Sequence, residues 1–312
     1  KKKKRRRRRR GRRRRRRRRR RRGRRRRKEE EAEEDCEPQV SYSRIGELVK
    51  TELKKDQVCF LSAHSRYLVL GMQSGQINIC DTLGNIIKHY RPHKNAINDI
   101  SIDVNGDFIA SCAKDDGRVV IRDVFQDTDK VHSFHQEKHI LTVSLHPNYS
   151  DNNNTFVCGG MNQQVLERTM GYFRSETNIL HCGEGPIYCI RRRKDIIAWN
   201  NDRGIKLYDT SNRKPIAAVK RASERANPSD PFQNRCCLCW EDDDTLLIGW
   251  GDWVKIAKIK SVISVNGAVS KTVDICGTFI IDYYVCGIAP FGENLMLLGY
   301  LDNEEENDND SF

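Results

Sequence analysis

The chain has 312 residues, of which 57 are Lys or Arg and 43 are Asp or Glu, for a formal net charge of +14 and a hydrophobic fraction of 37%. That length accommodates one large all-β domain or two smaller domains around a substantial core. No apolar run of about 18 residues occurs and no apolar stretch follows the basic start, so neither a membrane-spanning helix nor a secretory signal is expected.

The charge is unevenly distributed. Residues 1–28 are Lys1 to Lys4, Lys28 and 21 arginines, interrupted only by Gly11 and Gly23. They hold 26 of the 57 basic residues, so the remaining chain carries 31 basic against 43 acidic residues, a net charge of −12. Like charges at this density repel one another and have nothing apolar to bury, so the segment is expected to be disordered. It will bind anions nonspecifically, including nucleic acid and anionic lipid. It has no aromatic residues to stack on bases and no element to enter a groove, so specific nucleic-acid recognition is not expected. An acidic linker, 29–41, follows with the sequence KEEEAEEDCEPQ around it. Twelve cysteines in a chain without a secretory signal read as reduced thiols, mostly small core residues, in a cytosolic setting.

From about residue 58 the text changes to short apolar runs separated by Gly, Asn and Asp, the pattern of many strands joined by tight turns. No long amphipathic helix is predicted. A repeat emerges instead. Residues 67–82 contain Gly75-x-Ile77-x-Ile79-x-Asp81, and residues 108–124 contain Gly117-x-Val119-x-Ile121-x-Asp123, 42 residues later. Residues 156–169 repeat the pattern with Glu167 in the acidic position, 44 residues on, and residues 196–210 restore it with Gly204, Ile205, Leu207 and Asp209 after another 42. Residues 246–259 place Val254 and Ile256 in the same roles with Lys258 in the acidic position, 49 further on, and residues 295–302 open a sixth unit. A period of 40–50 residues built on strands that end apolar-x-apolar-x-acid is that of a four-stranded propeller blade. The fold class read from the sequence is therefore all-β: a WD40-like β-propeller over 42–302, incomplete, with five to six blades, between the polybasic segment and an acidic, disordered end at 303–312.

The segment CCLCWEDDDTLLIGWGDWVKIAKIK, residues 236–260, concentrates cysteines, aspartates and tryptophans. Strand alternation puts Cys237 and Cys239 on one face and Cys236 on the other, which splits the formal C-x-x-C pair. With no second such pair and His181–Cys182 standing alone, a tetrahedral metal site is not expected. The aspartates suit a turn, and Trp240, Trp250 and Trp253 suit packing between blades or contacts at a rim. His132, His135 and His139 would gather on one face of a helix, but the segment reads as a polar loop between blades. GEGP at 183–186 lacks the Lys-Ser/Thr of a phosphate loop and reads as a turn. Gly71 to Gly75 does not have nucleophile-elbow spacing. No catalytic, cofactor-binding or metal-ligating residue is assigned, and no partner-binding residue is identified.

The same segment resembles the vacuolar protein sorting-associated protein 41 family, whose members read Cys-x-Leu-Cys-Trp, a polar turn, Leu-Ile-x-Gly-Trp-Gly and Val-Lys. The likeness extends through LHCGEGPIYCI (180–190), DIIAWNNDRGIKLYDT (195–210), LHPNY (145–149), FVCGG (156–160) and YVCGIAP (284–290), over about 42–301. It implies a subunit of the homotypic fusion and protein sorting tether at late endosomes and lysosomes or vacuoles. In that family the propeller is followed by an α-solenoid and a RING-like zinc domain, neither of which is expected here. The acidic linker is similar to an acidic lead-in of the family; the arginine run is not. Implied partners are tether subunits, small GTPases of Rab or Arf-like type and adaptor-coated carriers, with peripheral membrane association through them. The expected function is a non-catalytic trafficking adaptor whose propeller rims dock proteins. The alternative is a nucleic-acid or nuclear scaffold acting through the polybasic segment. No cofactor is expected.

Overall fold

A computed structural model of the chain describes residues 41, 47–126, 131–171, 174–220, 235–263, 267 and 269–301. The arginine-rich segment, residues 29–40 of the acidic linker and the acidic end lie outside the described residues, and with them the expectation that the first and last of these are disordered. The chain divides into two compact units, Lys1–Arg44 and Ile45–Phe312; everything below concerns the second.

It begins with one helix, α1 (Glu47–Lys55), whose last turn carries Lys54 and Lys55 where cations complement the helix dipole. Among the described residues six antiparallel sheets follow, each a meander in chain order. The first contains β1 (Val58–Ala63), β2 (Leu68–Met72), β3 (Ile77–Cys80) and β4 (Ile86–Tyr90). The second contains β5 (Ile97–Ile102), β6 (Phe108–Ala113), β7 (Arg118–Asp123) and β8 (His132–His135). The third contains β9 (Ile140–Leu145), β10 (Thr155–Gly160), β11 (Gln164–Met170) and β12 (Ser175–Cys182). The fourth contains β13 (Cys189–Arg193), β14 (Ile196–Asn201), β15 (Gly204–Asp209) and β16 (Lys214–Lys220). The fifth contains β17 (Cys237–Trp240), β18 (Thr245–Trp250), β19 (Trp253–Ile263) and β20 (Val269–Ile280). The sixth pairs β21 (Tyr284–Phe291) with β22 (Asn294–Tyr300) and has only these two strands among the described residues. The first strands of successive sheets pack against one another from β1 through β5, β9, β13 and β17 to β21, which makes them the innermost strands of radiating blades.

The propeller reading of the sequence thus holds, with one refinement. The two strands visible in each repeat are the second and third of a blade, not its last. They are legible because blades cover them on both faces, so they are almost continuously apolar: β10, β14 and β18 are buried at every position. The apolar clusters lie between blades. Tyr67, Val69, Ile97 and Ile109 join the first to the second; Cys112, Val119, Val143 and Phe156 join the second to the third; Val157, Val165, Ile190 and Trp199 join the third to the fourth; Ala198, Leu207, Leu238 and Ile248 join the fourth to the fifth. Two glycines set how closely blades approach. A Cβ on Gly71 would lie 2.6 Å from Cγ2 of Ile97, and one on Gly249 would lie 2.6 Å from Cγ1 of Val285, each a side chain of the next blade's innermost strand.

The acid that closes the repeated pattern now has a physical role. Asp81 Oδ1 accepts from the amides of Leu83 and Asn85 at 2.9 and 2.8 Å, Asp123 Oδ1 from Phe125 and Gln126 at 2.9 Å each, and Asp209 Oδ1 from Ser211 at 3.0 Å. Each carboxylate thereby satisfies the amides of the turn that starts the fourth strand, the local bonding for which Asp is favoured in turns. In the third blade the longer Glu167 instead reaches the neighbouring blade and pairs with Arg192 at 2.9 Å.

Candidate functional site

The innermost strands bring the most unusual residues of the chain together. On β5, Asp99 is 3% exposed, and a carboxylate this deep is stable only if paired and hydrogen-bonded. It is both. Arg191 of β13 donates to it through two nitrogens at 3.0 Å each, Thr142 of β9 donates its hydroxyl at 2.5 Å and the Val143 amide donates at 3.1 Å. Burial works against the Arg191 charge, but the charge and hydrogen bonds of Asp99 together with the nearby Cys189 and Cys237 hold the guanidinium pKa above its ordinary value. Thr142 in turn accepts from the Ile190 amide at 2.9 Å, and Arg191 lies 6.0 Å from the Phe60 ring. One position earlier, Asn98 donates to Leu141 O at 2.9 Å and accepts two bonds from Arg235, through its backbone oxygen at 3.0 Å and its side-chain oxygen at 2.5 Å. A polar network thereby ties the second, third, fourth and fifth blades across their inner strands.

A second constellation lies inside the second blade. His93 Nδ1 is 2.8 Å from Asp116 Oδ2, and Nε2 is 3.0 Å from Ser111 Oγ. Those are the contacts of a hydrolytic Ser-His-Asp set. The environment is not that of an active site, because Ser111 is 1% and His93 3% exposed, with Ser111 in the middle of β6. No acyl group can reach the hydroxyl without opening the sheet. Instead His93 clamps the segment before β5 to β6 and to the turn before β7, and its own amide donates to Gly75 O of the first blade at 3.4 Å. Burial drives the His93 pKa below its ordinary value, only partly offset by the Asp116 carboxylate. The neutral ring donates through Nδ1 to Asp116 and accepts through Nε2 from Ser111, which satisfies both nitrogens. Sequence reasoning missed this set because its members are 18 and 23 residues apart. The usable signal was a His ahead of the repeat whose turn carries Asp116-Gly117.

Residues 236–260 form β17, β18 and most of β19. Cys236 and Leu238 are buried in the cluster shared with the fourth blade, while Cys237 and Cys239 take the other face, as alternation requires. Burial pushes the Cys237 thiol up to about 12, which keeps it protonated and unreactive. Asp242 Oδ1 accepts from the amides of Asp244 and Thr245 at 2.7 and 2.5 Å, making the turn, while Asp243 bridges to the fourth blade through Arg193, at 2.9 Å, and Lys194. Trp250 and Trp253 are buried with ring centroids 6.1 Å apart, and Trp240 donates to Arg191 O at 3.2 Å. All three tryptophans pack within or between blades.

The histidine segment read as a loop is partly a strand. His132 and His135 sit on β8, where an odd spacing puts them on opposite faces, and His139 lies beyond it, so helical gathering does not occur. No group of three or more His, Cys, Asp or Glu able to hold a metal occurs among the described residues. GEGP is a turn between β12 and β13. Gly183, Glu184 and Gly185 have φ of 90°, 66° and 92°, and a Cβ at Gly185 would lie 2.0 Å from Asp202 Oδ2, so glycine is required there. No described helix is long and apolar enough to cross a membrane.

A family model for the Vps41 β-propeller, described as "Vps42 beta-propeller", matches residues 40–312. Proteins designated vacuolar protein sorting-associated protein 41 homolog are 36% identical in Arabidopsis thaliana, over 88% of this chain and 29% of that protein, and 31% identical in Homo sapiens, over 85% and 31%. The chain spans about three tenths of the length of these curated relatives. Among solved structures it is similar to the Cps50 (Swd1) β-propeller domain of Myceliophteria thermophila, with a TM-score of 0.63 at 14% identity, covering 78% of this chain and 80% of that one. A chain of the mitotic checkpoint complex aligns with a TM-score of 0.56 at 12% identity over 80% and 76%. At these identities the structural matches bear on the fold alone.

Proposed function

Since the chain belongs to the vacuolar protein sorting-associated protein 41 family, as its match over residues 40–312 and relatives above 30% identity establish, we propose that it is a non-catalytic docking platform in transport to the lysosome or vacuole. Within that reading it contributes a propeller to a tethering assembly at late endosomal and lysosomal membranes. Its partners are the other tether subunits and small GTPases of Rab or Arf-like type, and it associates with the membrane peripherally through them. Residues 1–28 add nonspecific anion binding.

The observation that carries the non-catalytic part is the burial of the Ser111–His93–Asp116 set, whose hydroxyl and imidazole serve the frame. The turns between strands and the exposed outer strands are the surfaces that a rigid frame can present to partners. The test is direct binding. The purified chain is immobilised and exposed to purified tether subunits and to small GTPases loaded with GTP or GDP. Retention of at least one subunit or of a GTP-loaded GTPase supports the proposal. A folded chain that retains none of them overturns it.

A further inference from the structure

The charges along the inner strands do not cancel. Arg191 is neutralised by Asp99, to which it donates twice at 3.0 Å. Among the described residues Arg235 has only the neutral oxygens of Asn98 as acceptors, and no carboxylate lies within ion-pair distance of it. Its guanidinium is half-buried at the start of β17, the end of the axis at which β5 and β9 also start. Three exposed lysines surround the same end of the second and third blades. Lys94 precedes β5, Lys114 follows β6 and Lys138 precedes β9. The Lys114 amide donates to Ala96 O at 2.7 Å, which holds two of these loops together. None of the three lysines has an ion-pair partner among the described residues. The nearby acids are otherwise engaged: Asp116 with His93 at 2.8 Å, Asp115 with His139 at 3.5 Å, and Glu184 with Lys206. Asp56 and Asp202 at this end accept from the Ser74 amide and the Tyr188 hydroxyl, and Glu137 is exposed.

We propose that this end of the axis is a docking site for an acidic peptide segment of a protein partner, with one carboxylate seated on Arg235 and flanking acidic residues met by Lys94, Lys114 and Lys138. Asn98 fixes one edge of the guanidinium and leaves its remaining donors for an incoming carboxylate. The site offers a single guanidinium beside the strand starts. A flexible chain that presents one side chain at a time fits it, whereas a nucleic-acid duplex does not. The inference rests on this geometry and goes beyond the trafficking role, because it names a surface and the chemistry of its ligand.

Residues 1–28 will also attract an acidic peptide, so the test must be read at the site itself. Cys59 provides the readout. It is exposed, and although burial and then Asp56 hold its thiol pKa above the ordinary value, Arg235 is close enough to oppose them. Alkylation of each cysteine by iodoacetamide is followed by peptide mass spectrometry in the full chain, with and without a short, end-capped peptide of alternating Glu and Gly. Exposed Cys182 is the reference, and fully buried Cys112 and Cys158 report folding. The peptide should slow labelling of Cys59 several-fold and leave Cys182 unchanged. Arg235→Gln should weaken that protection roughly tenfold in peptide concentration. Protection absent in the wild-type chain, or equal in Arg235→Gln, overturns the proposal. Protection by inorganic phosphate at matched charge but not by the peptide also overturns it, in favour of a free-anion site. If Arg235→Gln exposes Cys112 and Cys158, the comparison moves to Arg235→Lys combined with Lys94, Lys114 and Lys138→Gln. Protection must fall there as well, and unchanged protection overturns the proposal.

Discussion

In the second sheet Ile109, Ala110, Val119 and Ile121 are at most 2% exposed, whereas in the sixth Phe291, Met296, Leu298 and Tyr300 are 37–66% exposed. Both stretches are rich in apolar residues. The second sheet has four strands and a neighbour on each face; the sixth has two strands and lies against the fifth through β17 and β18. Burial in this fold is therefore a property of neighbouring blades more than of a strand's own sequence. The polar residues obey the same logic. Asp99 can be buried because two other strands send it donors, and Ser111 because His93 arrives from the preceding loop.

The largest expected effect comes from breaking the network that the covered sheets share. Asp99→Ala leaves Arg191 and Thr142 facing an empty acceptor site and should cost about 3–5 kcal/mol, read as a fall in the urea midpoint at unchanged slope. Next, Ile121→Ala in β7 should cost about 2–5 kcal/mol, while Leu298→Ala in β22 should stay within about 0.5 kcal/mol. Equal costs at the two positions would erase the contrast between the sheets. Gly249→Ala sharpens it from the side of the fifth blade, since the added methyl must displace Val285, and about 1–3 kcal/mol of destabilisation is expected in the same titration.

A smaller effect is expected from pH. The His93 pKa is lowered in the fold, so between that value and the ordinary value near 6.5 the unfolded chain binds a proton that the folded chain does not. Stability should be level with respect to this group above about pH 6.5 and decline as pH falls through the window below it. His93→Gln should flatten that decline in urea titrations across the range. The smallest effect on stability, but a visible one on solubility, belongs to the sixth sheet. Leu298→Lys should leave the urea midpoint nearly unchanged and raise the concentration at which the chain stays dispersed, because the exposed edge of β22 gains a charge.

The blades were legible because coverage on both faces makes their second and third strands continuous apolar runs, and because an Asp that caps the following turn recurs at a nearly fixed spacing. The outer strands were less legible. β8 and β12 are half-exposed and rich in His, Ser, Thr and Asn, so β8 read as a loop and no strand was assigned at β12. The split of Cys236 from Cys237 and Cys239 followed from alternation alone, and the turn at Asp242 from the preference of Asp for turns. The two polar constellations were not legible. Asp99 and Arg191 are 92 residues apart, and what joins them is the circular order of the blades, which no local pattern encodes.

The central claim is that the chain's buried polar sets hold a frame and do no chemistry. Labelling by a fluorophosphonate, which phosphonylates activated serines, tests it most directly when read by mass spectrometry of the peptide containing Ser111. The account predicts no modification of Ser111 while the chain is folded, even after prolonged exposure. Stoichiometric modification of Ser111 that is lost in His93→Gln would contradict it and make the buried set an active site.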